Sequence, residues 1–165
     1  YFFWYYRIMK IMIRQSEKRD EPQIIECQSE LQDAEFRVDR NRKTGISTAK
    51  KYLKYIYAEL SGKKGGIFVA ELNDCIVGLI IMYIDKNEIE EIDGLHLYIS
   101  DLVIRKEYRN QGIGQQLMRY AERFAKDHNV TETHLSVLAK NVSALNLYQK
   151  KGYKAKKIYL IKKLK

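Results

Sequence analysis

An α/β (α+β) fold, with a mixed and mostly antiparallel sheet flanked by helices, is predicted by three features of this sequence. Between residues 67 and 84, two runs rich in β-branched and aromatic residues flank Asn73 and Asp74, the pattern of a two-residue hairpin. Apolar residues recur at helical spacing at Ala49, Leu53, Ile56 and Leu60, and again at Ile113, Leu117, Ala121 and Phe124. Strand and helix patterns then alternate toward the C-terminus, giving the order β-α-α-β-β-β-α-β-α-β.

A short strand around residues 11–14 opens the order. Asp20 is placed to cap the first helix, and Pro22 suits its first turn. The second helix is expected to start at Ser47 or Thr48 and to stop at Gly62, Gly65 and Gly66. After the hairpin, the acidic turn 87–94 leads into the strand "LHLYISDLVI" (95–104). A helix from Ile113 follows, with Arg119, Glu122, Arg123 and Lys126 outward. The segment 132–138 alternates as a strand. Asn141 is a good N-cap and Gly152 a good C′ residue, so they bracket a helix over about 142–151. A last strand is expected at 157–164.

The chain has 165 residues, 45% apolar and 31% charged, a globular composition that is neither disordered nor membrane-spanning. Its net charge is +9, and residues 140–165 hold nine lysines and no acid. That end would attract a polyanion such as RNA or a phosphorylated cofactor, although a solvated, solubilising face is the plainer reading. Cys27 and Cys75 lack metal or redox spacing, which fits half-buried fillers in a reducing cytoplasm. Residues 1–10 form an aromatic leader, "YFFWYYRIMK", too short to span a bilayer. It is set aside as not native, with Met9 or Met12 as the expected start. Residues 11–165 are then one domain.

Within 95–104, Leu95, Leu97 and Ile99 share a face, and strict alternation would bury Asp101 beside them. One extra residue at Ser100–Asp101 returns Leu102 and Ile104 to the apolar face, so a β-bulge is expected there. Such a bend leaves backbone at residues 102–104 open to an extended ligand. The segment that follows, "EYRNQGIGQQL" (107–117), puts two glycines at a helix start, where bare N–H groups suit an anion. It fails the dinucleotide fingerprint because residue 117 is Leu, and it fails the Walker loop because no Lys follows Gly114. Arg109, Gly112 and Gly114 match the third design, R/Q-x-x-G-x-G/A.

On these residues the chain resembles the GCN5-related N-acetyltransferases (GNAT). The likeness runs through "DLVIRKEYRNQGIGQQLM" (101–118) and "VLAKNVSALNLYQKKGY" (137–153). It implies a bulged fourth strand and a V-shaped opening between the fourth and fifth strands. It implies that acetyl-CoA is bound by Leu102, Val103, Ile104, Arg109, Asn110, Gln111, Gly112, Ile113, Gly114, Gln115, Asn141 and Tyr148. The backbone of residues 102–104 would take the pantetheine arm, and the loop N–H groups the pyrophosphate. The implied reaction is direct attack of a primary amine in a ternary complex, without metal, with Tyr148 as general acid. The thiolate that develops as the carbon–sulfur bond breaks, whose thiol has a pKa of ~8.5, can accept a hydrogen bond and then a proton from a phenol near ~10. The base stays open. The family often has a Glu where this chain has Ser100; Asp101 acting through water is one candidate, Glu71 and His96 are weaker, and a water chain would also serve. His128 and His134 are expected to be a helix-end and a strand residue. Glu88, Glu90, Glu91 and Asp93 would either draw a cationic acceptor or simply be solvated. The alternative function is a non-catalytic module binding RNA or protein through the lysine-rich end. The expected strand at 157–164, if left unpaired, invites a homodimer.

Overall fold

A computed structural model of the chain describes residues 11–87 and 94–164; the aromatic leader, the acidic residues 88–93 and Lys165 lie outside them. The described residues contain five strands: β1 (Met12–Gln15), β2 (Gly65–Leu72), β3 (Cys75–Lys86), β4 (Leu95–Ile104) and β5 (Glu132–Leu135). They contain four α-helices: α1 (Glu21–Val38), α2 (Ile46–Leu60), α3 (Ile113–Asp127) and α4 (Val142–Lys150). The sheet order is β1-β2-β3-β4-β5, antiparallel except for the parallel β4–β5 pair. This is the predicted mixed, mostly antiparallel sheet.

The hairpin closes on Asn73 and Asp74, whose φ values of 50° and 62° define a two-residue turn that matches strand twist. Side chains alternate between two cores. Phe68, Ile80, Met82, Leu97 and Ile99 pack with Ile113, Leu117 and Ala121 of α3. Ile67, Val69, Leu79, Ile81 and Val103 pack with Ile24 and Cys27 of α1 and Leu53 and Ile56 of α2. Cys27 is fully buried, beyond the half-burial expected of it, and burial pushes its thiol up to about 12. Cys75 is half-buried at the start of β3.

Some expectations needed correction. Asp20 stands at the N-cap of α1, yet its carboxylate does not cap the helix. Arg14 takes it through two bonds, of 2.6 and 2.9 Å, and also binds Glu71 at 2.6 Å. A guanidinium fork outcompetes single N–H donors for a carboxylate. Helix α2 begins one residue early, at Ile46. Strand β5 stops at Leu135 rather than 138, and residues 157–164 form no strand. Ile158, Tyr159, Leu160 and Ile161 are 77–87% exposed. Apolar alternation supplies a strand's side chains but not the neighbouring ladder it needs.

Candidate active site

Strand β4 carries the predicted bulge. Ile81 pairs with Asp101 and Met82 with Ile99, so Ser100 is the extra residue. Leu97 and Ile99 precede it on the α3 face, and Leu102 and Ile104 follow on that same face. Val103 faces α1 and α2, and alternation sets Asp101 on that side with it.

The bulge also ends the pairing with β5, which reaches only from His96 to Ile99. Beyond it the two strands part, leaving the V-shaped opening. The N–H of Arg105 donates to Val77 O on β3 at 2.9 Å. Ladder alternation therefore turns the polar backbone of Val103 toward β3 and that of Leu102 and Ile104 toward the opening. Of the three predicted arm-binding residues, Leu102 and the N–H of Ile104 present free-edge groups. The Nε of Arg109 donates to Ile104 O at 3.0 Å and so ties the glycine loop to that edge.

The loop itself alternates in hand. Asn110 has φ 62° and Gly112 φ 79°, with Gly112 the N-cap of α3. Gln116 is the first residue whose N–H is bonded within the helix, to Gly112 O at 3.1 Å. The N–H groups of residues 110–115 have no protein acceptor among the described residues. A Cβ built on Gly112 would meet no heavy atom within 4 Å, so the space above it is open. At Gly114 it would lie 3.7 Å from Ile104, an ordinary contact. Concave N–H arrays at a helix start bind anions.

Helix α4 is capped by Asn141, whose Oδ1 accepts from the Ala144 N–H at 3.2 Å. Its far end closes on Gly152, φ 88°, with Tyr153 N–H donating to Tyr148 O at 3.0 Å. The turn brings the two rings edge to face, centroids 5.6 Å apart. Thr133 of β5 donates to the Tyr153 hydroxyl at 2.9 Å, which ties this ring pair to the sheet. Burial pushes the Tyr148 phenol up to about 12, with smaller contributions from Tyr153 and the Asp101 charge.

Asp101 has a partner the sequence did not reveal. The Tyr52 hydroxyl of α2 donates to its Oδ2 at 2.6 Å, and Ser100 Oγ donates to the same oxygen at 2.9 Å. Burial raises the Asp101 carboxyl above its ordinary range, against these two bonds that lower it. Burial, then the Asp101 charge, keep Tyr52 neutral well past the usual phenol range. The missed signal was positional. Tyr52 lies three residues after Ala49 and four before Ile56, so its phenol belongs to the buried stripe and needs a polar partner. The other base candidates sit in other contacts: Glu71 on Arg14, and His96 stacked on His134 with Nδ1 3.0 Å from Asn87 Oδ1. His128 ends α3 and His134 lies in β5.

The acetyltransferase (GNAT) family profile matches residues 25–153. The chain belongs to the GNAT acetyltransferase family. Its relatives include thialysine N-epsilon-acetyltransferase of Bos taurus, 31% identical over 47% of this chain and 44% of that enzyme. Another is the N-alpha-acetyltransferase of Sulfurisphaera tokodaii, 28% identical over 68% of this chain and 71% of that one. The alignment thus spans less than half the length of the bovine relative. Among solved structures, a tetramutant of the BH1408 protein from Bacillus halodurans superposes with a TM-score of 0.80 at 19% identity, covering 93% of this chain and 99% of that one. Aminoglycoside N-acetyltransferase AAC(6')-Iy, solved with CoA, superposes at 0.68 and 13% identity, covering 94% and 95%. These two likenesses show that the fold is shared. No helix of this GNAT protein among the described residues is long and apolar enough to cross a membrane.

Proposed function

We propose that this chain is an acetyl-CoA-dependent N-acetyltransferase that moves an acetyl group to a primary amine by direct attack in a ternary complex. One observation carries the reading. The unpartnered N–H groups of residues 110–115 adjoin the free edge at Leu102 and Ile104, and that edge runs back to the bulge that carries Ser100 and Asp101. The loop suits a pyrophosphate: its donors are unspent, and Gly112 leaves space where any side chain would intrude. The edge suits an extended arm with amide groups, taken up as a substitute strand. The relatives' names refer to an ε- and an α-nitrogen, which supports nitrogen as the acceptor atom without choosing between positions.

Acetyl-CoA supplies the acetyl thioester. The chain's own groups manage protons. An ammonium acceptor loses two in becoming an amide. Asp101 takes one, freeing the lone pair that forms the carbon–nitrogen bond. Tyr148, fully protonated at neutral pH because burial raises it to about 12, delivers a proton to the departing sulfur and is replenished by the second. Asn141 shapes the start of α4, which carries Tyr148. We place the protein in the cytoplasm and residues 11–165 in one domain on this reading.

The test is thiol release from acetyl-CoA with a panel of polyamines, aminoglycosides, amino acids and peptides. Release with at least one amine is expected, and silence across the panel refutes the acceptor class. A second reading draws on the exposed residues 157–164 with their flanking lysines. It makes the chain a GNAT-fold module for RNA or protein. A mobility shift with steep salt dependence, together with no acyl transfer, would favour it.

A further inference from the structure

We propose that Tyr52 is a positioning residue for acetyl transfer: with Ser100 it holds one oxygen of Asp101, leaving the other as the basic atom. The inference rests on Asp101 being the base. Its ground is the geometry of three oxygens. Tyr52 Oη and Ser100 Oγ both lie within hydrogen-bond distance of Asp101 Oδ2, at 2.6 and 2.9 Å, and 3.2 Å from each other. Each hydroxyl has one proton, so only two edges of this triangle can be bonded at once. With Asp101 ionised, both protons go to Oδ2. Oδ1 accepts no hydrogen bond among the described residues. An oxygen already accepting two bonds is the poorer base, so the proton from the amine goes to Oδ1.

The arrangement is built from three separate parts of the chain. The bulge supplies Ser100 and turns Asp101 toward α1 and α2; α2 supplies Tyr52. Other charged or titratable groups reach the carboxylate. Glu35 of α1 opposes its ionisation and Arg42 of the α1–α2 connection favours it, while its own charge adds to the rise of the Tyr148 phenol of α4. Glu35 and Arg42 are themselves paired at 2.7 Å, so their opposing effects largely cancel. The two hydroxyls are then the main groups that oppose the rise burial imposes on this carboxyl.

The experiment is a 13C NMR titration of the Asp101 carboxyl in the full chain with coenzyme A, for wild type, Y52F and S100A. Kinetics use acetyl-CoA and the panel amine that releases thiol fastest. Each variant removes one donor to Oδ2. The Asp101 midpoint is expected to rise by about one pH unit in either. Turnover should fall about tenfold on the acid side and rejoin wild type as pH rises, a recovery that simple structural damage would not give. Calorimetry with coenzyme A checks that both variants keep the fold, and S100A stands in if Y52F does not. An acid limb lost in D101N but unmoved in Y52F and S100A overturns this proposal alone. An acid limb that survives in D101N overturns Asp101 as base, and the role of Tyr52 with it.

Discussion

Replacing Tyr148 with Phe removes one oxygen and little else. The ring stays against Tyr153, whose own hydroxyl remains fixed by Thr133. The lost hydroxyl makes no hydrogen bond to the described residues, so folding stability should change by less than about 1 kcal/mol. The catalytic cost is different in kind. A positioned general acid contributes about 100-fold or more, and each tenfold corresponds to about 1.4 kcal/mol of barrier. We expect kcat to fall about 100-fold with coenzyme A affinity nearly unchanged. The pH dependence adds a second check. Tyr148 acts only while protonated, and burial raises it to about 12, so turnover should show no loss attributable to this group below about pH 11. Thiol release under saturating acetyl-CoA measures kcat, and calorimetry measures coenzyme A binding. Unchanged kcat in Tyr148→Phe would remove this residue from the chemistry and leave the sulfur to be protonated by water.

Gly112→Glu puts a carboxylate over the unpartnered N–H groups and a side chain where φ is 79°. The left-handed backbone costs about 1–2 kcal/mol, a lowering of the melting temperature by about 2–8 °C, while coenzyme A binding should vanish in calorimetry. Normal binding refutes the phosphate cradle. Arg14 offers a test of the fold instead. Its guanidinium holds the Asp20 carboxyl below the usual range, so Asp20 stabilises the folded state above its unfolded pKa of about 4, and that contribution is lost as pH falls through the lower folded value. Arg14→Ala leaves Asp20 and Glu71 without their shared cation and should cost about 3–5 kcal/mol in urea denaturation at pH 7. It should also flatten the acid dependence; an unchanged slope between pH 5 and 2 counts against the pairing.

The features legible in the sequence were those set by local parity and by backbone conformation. The mismatch between Ile99 and Leu102 located the bulge, because a charged side chain cannot take an apolar position cheaply. Asn73–Asp74, Gly112 and Gly152 marked turns because few residues accept positive φ. What stayed hidden depended on distant partners. Residues 157–164 have a strand's alternation, but nothing in eight residues says whether a neighbouring ladder exists. Strand β5, which stops at Leu135, is too short to prescribe one. Lys163 instead reaches Asn41 at 3.4 Å. Tyr52 was invisible as a site residue for the same reason: it lies 49 positions from Asp101, and only the packing of α2 on β4 joins them.

The single inserted residue, Ser100, does more than relieve a parity conflict. It sends Asp101 to one side of the sheet while Leu102 and Ile104 return to the other, and the pairing of β4 with β5 stops at Ile99, directly before it. A regular strand could do neither without setting the carboxylate among the apolar side chains of the α3 core or pairing the edge that an arm must use. Past the bulge, β3 and β4 also lie close together. Gly78 faces Ile104, and any Cβ there would come within 2.7 Å of Val103 O. The placement of Asp101, the free edge and the loop tied to Ile104 by Arg109 thus follow from one irregularity and from a glycine that lets β3 approach β4 beyond it. The site could therefore be lost without touching a catalytic group, by any change that restores regular pairing along β4.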